Sequence, residues 1–173
     1  MARSIWDFII PQMDPNARIQ RATDHPEFAA IEKTYPLKLE HLLIEDYSIK
    51  LDGTSYSLEI THSPMGSRTG YHFLINGLKI EEIVTKQQPL EGMKNLAMRV
   101  LSGRKLEVDR LQFNSGLAAF YLPTGLEIQA KNLILQSNLM DLDSIKPFLS
   151  QDCLPLESLE VFDPSYTKYF SIL

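Results

Sequence analysis

The side chains best suited to chemistry in this chain are four histidines, one cysteine and one loop of small residues. His25, His41, His62 and His72 are the only histidines. No two of them stand three or four residues apart, the spacing by which a helix offers two ligands to one zinc ion, and there is no Cys-x-x-Cys. His62 and His72 fall on neighbouring segments that are expected to run antiparallel. Facing each other beside a carboxylate, they would serve a motif-less hydrolase or a metal-dependent enzyme. Cys153 follows Asp152 and lacks the basic neighbour that would turn a thiol into a nucleophile. It reads as a small buried residue, and a lone cysteine fits a reducing compartment. Ser63 to Gly70 carries Arg68 among small residues, but no lysine and no following helix complete a phosphate cradle. The pairs Glu81-Glu82 and Asp141/Asp143 have spacings common on surfaces and at helix caps. No Gly-x-Ser-x-Gly elbow occurs. The expectation is therefore no catalytic residue, no metal, no cofactor and no enzyme.

Composition narrows the remaining classes. The chain has 173 residues, 44% of them apolar and 23% charged, which suits one globular unit with a core of its own. A net charge of −5 with no basic stripe argues against a nucleic-acid surface. RNA binding would instead need Tyr71, Phe73 and basic residues on one open sheet face. No apolar run reaches membrane length, and Met1 to Met13 is too short and interrupted for a signal peptide. An intracellular protein, cytoplasmic or nuclear and without a membrane partner, is expected.

The elements divide into three stretches within one fused unit. Residues 1–36 form a helical block: Ile5, Phe8 and Ile9 share a helical face that Pro11 ends, Asp14 caps a helix opened by Pro15, and a third runs from Pro26 to Lys33. Residues 37–87 form an antiparallel meander. Asp52-Gly53 and Asn76-Gly77 each sit between alternating apolar runs, as a type I′ hairpin turn requires. Residues 88–173 begin with a helix over Met93 to Leu101 that stops at Gly103. Leu111-Gln112-Phe113, Leu133-Ile134-Leu135 and Leu159-Glu160-Val161 then repeat one pattern at separations of 22 and 26 positions. Those separations are of the size of a leucine-rich repeat. Asn138 stands where that repeat places an asparagine, a helix is expected between Asn138 and Gln151, and the loop Gly116 to Gly125 has no helical pattern. The fold class is α+β: N-terminal helical block, antiparallel meander, then leucine-rich-repeat-like strand and helix units. Three strands of an ordinary mixed sheet would show the same pattern.

Met13-Asp14-Pro15-Asn16-Ala17-Arg18-Ile19-Gln20, His25-Pro26-Glu27-Phe28 and Pro36 to Leu42 give this chain a texture that resembles the nematode-expanded F-box-associated domains of unknown function. Ile49-Lys50-Leu51-Asp52-Gly53-Thr54-Ser55-Tyr56 and Leu154 to Val161 fit the same family, although His25 stands where its members carry cysteine. The resemblance implies a non-catalytic protein-binding module that recognises substrates for a ubiquitin ligase, with ligase components among its partners. Its contact surface is expected at Arg68, Tyr71, Phe113, Phe120 and Tyr121, because aromatic and arginine side chains anchor interfaces.

Overall fold

The computed structural model describes residues 5–62, 69–85, 88–136, 142–150 and 156–162. The helical block comprises α1 (Trp6–Ile9), α2 (Pro15–Asp24) and α3 (Pro26–Glu32). Pro11 sits in a tight turn, Ile10–Gln12, that ends α1. Asp14 caps α2 by accepting the Ala17 N–H at 2.9 Å. The meander follows as β1 (Leu37–Glu45), β2 (Ser48–Leu51), β3 (Thr54–His62), β4 (Thr69–Ile75) and β5 (Leu78–Thr85). Asp52, Gly53, Asn76 and Gly77 all have positive φ, the conformation that these two hairpin turns demand. Next come α4 (Pro89–Leu101), β6 (Lys105–Phe113), α5 (Ala118–Tyr121), β7 (Glu127–Leu135), α6 (Leu142–Ile145) and β8 (Ser158–Val161).

All the described strands join one sheet in the order β5-β4-β3-β2-β1-β6-β7-β8. β1 is its pivot: antiparallel to β2 on one side, it is parallel to β6 on the other. The β6–β7 and β7–β8 pairs are parallel too. Leu42, Leu111, Leu133 and Leu159 are therefore partners in one row across four parallel strands. The buried positions on the first three of these strands share a step of two, then three, then two: Leu37, Leu39, Leu42, Ile44; Leu106, Val108, Leu111, Phe113; Ile128, Ala130, Leu133, Leu135. At the three-residue step the ladder skips the pairs Glu40–Asp109 and Asp109–Lys131. The displaced backbone groups are satisfied by side chains: Asp52 Oδ1 accepts the His41 N–H at 2.7 Å, and Asn132 Nδ2 donates to the Asp109 carbonyl at 3.0 Å.

The main core lies between this sheet and a helical layer that includes α4, α5 and α6, with Ile19 reaching in from α2. α4 packs on β3 and β4, and Leu58 and Tyr71 come close to Gly92: a Cβ there would lie 2.7 Å from the Leu58 Cδ2 and would force that side chain to shift. A smaller cluster of Ile10, Ala22 and Phe28 holds α1 to α2 and α3, with Trp6 edge-on to Phe28.

Two findings differ from the reading of the sequence. Ala118–Tyr121 in the Gly116 to Gly125 stretch is helical, a single turn too short to leave a periodic signal. His62 and His72 are not strand partners, for the β3–β4 register sets Thr69 against His62 and Glu59 against His72. The expected helix after Asn138 is described from Leu142, and the tight turn at Lys146–Phe148 holds Pro147 and keeps it short.

A buried ion triad fastens the helical block to the sheet. Glu32, on the last turn of α3, meets Arg18 of α2 at 3.0 Å and Arg104, which precedes β6, at 3.1 Å. Arg18 also donates to the carbonyls of Pro36 and Tyr35, and Arg104 to that of Val100. Burial pulls the Arg18 guanidinium below its ordinary pKa, and the Glu32 carboxylate opposes that shift. Replacing Glu32 by Ala leaves two guanidiniums buried without their anion; we expect a loss of about 3–5 kcal/mol in urea unfolding.

Tyr56 donates its hydroxyl to Asn16 Oδ1 at 2.9 Å, and Asn16 donates to the Leu51 carbonyl at 3.2 Å. Burial first, and then the Asp14 carboxylate, push the Tyr56 phenol up to about 12. The neutral phenol is thus favoured in the folded chain, so its stabilisation is complete below pH 10 and is lost as pH rises towards 12. Urea midpoints at pH 9 and 11 are expected to fall further apart for the parent chain than for Tyr56→Phe.

Candidate functional site

β1, β6, β7 and β8 all finish at the same end of the sheet, where β4 starts and the N-terminus of α4 lies. Loops at the carboxyl ends of parallel strands are the usual place for a site, because the backbone turns away there and leaves a crevice. Three polar anchors build this rim. Tyr121 donates to the Glu45 carbonyl at 2.6 Å and so ties α5 to the end of β1. Ser115 donates to Asp46 Oδ1 at 2.5 Å while accepting the Leu117 N–H at 3.0 Å, which fixes the start of the α5 turn against the β1–β2 turn. Glu45 accepts from Ser48 at 2.6 Å and pairs with Lys50 at 2.8 Å. Burial alone would raise the Glu45 carboxyl; hydrogen bonds from Lys50 and Ser48 overcome it and hold the group below its ordinary value.

On this polar frame stand three large exposed side chains. Phe120 is 64% exposed, Leu117 46% and Tyr47 46%. The residues singled out from the sequence divide sharply. Tyr71, Phe113 and Tyr121 are buried in the core beneath the rim, and Phe120 alone of the aromatic set faces solvent. Burial chiefly, and then the neighbouring Tyr47 phenol, raise the Tyr71 hydroxyl. Arg68, Cys153, Asn138 and Asp141 lie outside the described residues, as does the Tyr166 to Leu173 end. Tyr47 and Leu117 were missed by sequence reasoning. The break in alternation at Glu45-Asp46-Tyr47-Ser48 was the available signal for a turn, but nothing in the sequence paired that turn with Ser115.

The polar groups of the rim serve to hold its loops. Ser115 Oγ is committed to two hydrogen bonds that hold the loop, one to Asp46 and one from the Leu117 N–H. His72 Nδ1 lies 3.4 Å from Glu59 Oε2 on the meander. Among the described residues no three histidine, cysteine, aspartate or glutamate side chains are grouped to hold a metal ion. Tyr71 and Phe73 are buried on the side that α4 covers, so they do not offer open rings for stacking bases. No helix among the described residues is long and apolar enough to cross a membrane.

Tyr121→Phe removes the donor to the Glu45 carbonyl in a buried setting. A loss of about 1–2 kcal/mol in urea unfolding is expected, with faster hydrogen exchange in the α5 turn than elsewhere.

A family model described as a domain of unknown function, DUF3557, matches residues 88–172. The match begins where α4 begins and takes in β6, β7 and β8. No curated protein matches the chain, and no solved structure does. The second half of the chain, which carries three of the four parallel strands and the Leu117–Phe120 part of the rim, is what is similar to that family.

Proposed function

We propose that the chain is a non-catalytic protein-recognition module of an F-box-type ubiquitin-ligase adaptor, working inside the cell, and that the rim of Tyr47, Leu117 and Phe120 is its contact surface. The observation that carries this reading is the 64% exposure of Phe120 on a loop held by three hydrogen bonds of the Ser115 and Tyr121 side chains. An exposed aromatic ring on a mobile loop would lose much of its binding energy to ordering; on a fixed loop that entropy has already been spent. The remaining polar groups of the rim are committed to the frame and not poised for proton transfer, which favours binding over catalysis.

The leucine pattern supports a repeat-like reading of the parallel half. Leu39-x-x-Leu42-x-Ile44, Val108-x-x-Leu111-x-Phe113, Ala130-x-x-Leu133-x-Leu135 and Leu156-x-x-Leu159-x-Val161 share the spacing of a leucine-rich repeat, and apart from Leu156 their equivalent positions are strand partners. Stacked units of that kind present successive loops at one end of the sheet, and the rim lies there. The patchwise resemblance of the chain to F-box-associated domains supports ligase components as partners.

Phe120→Ala tests the reading, since truncating a central aromatic anchor costs about 2 kcal/mol or more of binding, roughly thirtyfold in affinity. The tagged chain and the variant are captured in parallel from native cells, and their unfolding midpoints are compared. Ligase components should be recovered with both, together with a protein whose yield collapses with Phe120→Ala at unchanged stability. Equal recovery of every protein by the two chains would overturn the rim, and absence of ligase components would overturn the adaptor role.

A further inference from the structure

A second surface, at the opposite end of the meander, is independent of the rim. α4 packs chiefly on β3 and β4, and β5 is the last described strand of the sheet on that side. Its apolar residues Leu78 and Ile80 are consequently 71% and 53% exposed, although their alternation in sequence is that of a core strand. Ile80 is the extra residue of a bulge where the β4–β5 register shifts past Phe73 and Leu74. Beside these two side chains opens a groove of about 420 Å³ between the β4–β5 hairpin, the last turn of α2 and the second half of α4. Its floor is apolar, with Ile19, Phe73, Leu96 and Val100 among its lining residues.

Charge decides what fits there. The one cationic side chain lining the groove, Arg99, is already paired with Glu81 at 2.6 Å. Asp24 also lines it, exposed, with no hydrogen bond or ion pair among the described residues. It sits at the C-terminal end of α2, where the helix carbonyls add negative potential. The uncommitted charge of the groove is thus negative, and its complement is a lysine or arginine. Backbone geometry decides the conformation. An edge strand offers a row of main-chain donors and acceptors to one further strand. A strand added to β5 places every second side chain on the groove side.

We propose that β5 and this groove together bind an extended peptide by strand addition, the peptide carrying alternating apolar residues and a basic residue that meets Asp24. The charged residues of β5, Lys79, Glu81 and Glu82, keep the edge from pairing with any exposed strand it meets. The basic residue then sets which peptide is accepted.

The test pans a phage-displayed library of random decapeptides against the immobilised full chain, with the Leu78→Lys chain as counter-selection. Leu78 is largely exposed, so that variant should keep the parent unfolding midpoint. Enriched peptides are expected to alternate apolar residues and to contain lysine or arginine. They should slow hydrogen exchange at β5 amides, and they should bind at least tenfold more weakly to Asp24→Asn and after N-methylation of every second peptide residue. Enrichment equal on the Leu78→Lys chain, acidic consensus peptides, or indifference to N-methylation would each overturn the proposal. Light scattering that shows the chain pairing with a second copy through β5, abolished by Leu78→Lys, would overturn it too.

Discussion

The architecture depends on one buried carboxylate. Glu32 stands between the guanidiniums of Arg18 and Arg104, and all three side chains are withdrawn from water. One anion between two cations leaves a surplus positive charge in a poor dielectric. The protein disperses it onto the carbonyls of Pro36, Tyr35, Glu32 and Val100, which lie at a chain reversal and at helix ends. The triad thus does two tasks with the same atoms. It closes the ends of α3 and α4, and it sets the helical block at one angle against the segment entering β6. An apolar contact of equal area would hold these elements together as firmly but would let them slide; charged groups with fixed partners do not slide without exposing an unpaired charge.

With that joint in place, β1 becomes the axis of the sheet. Its two edges are used differently: one accepts the local hairpins of the meander, the other a parallel strand that arrives only after α4 has crossed back beneath the sheet. Parallel pairing at that edge is what brings the ends of β1, β6, β7 and β8 together and so creates the rim. It also leaves β5 at the edge of the sheet, beyond the strands on which α4 chiefly packs, and the exposed apolar edge there follows from the same topology. The two surfaces thus have a common origin in a sheet wider than its helical layer.

Local features were legible from residue types. The Asp14 cap, the positive-φ turns at Asp52-Gly53 and Asn76-Gly77, the helix stopped at Gly103 and the strand character of the leucine segments all arise from interactions within a few residues, so the sequence near each one carries the information. Even the rows of leucine partners were foreshadowed by their spacing. The two-three-two step that the strands share was also present in the sequence, yet alternation by twos is the pattern one looks for, and it hides a skip that three strands make together.

What sequence alone determined about this protein is its secondary structure, its α+β class and a shortlist of aromatic residues. Only the tertiary structure decided which of those aromatics meets solvent. Tyr71, Phe113 and Phe120 are alike in hydrophobicity, but two lie under the helical layer and one stands outside it, a distinction set by strand order. The same holds for Tyr47 and Ser115, drawn to one rim because the Asp46–Ser115 bond spans 69 positions of chain. Burial and long-range pairing are properties of the whole sheet, and no window of residues contains them.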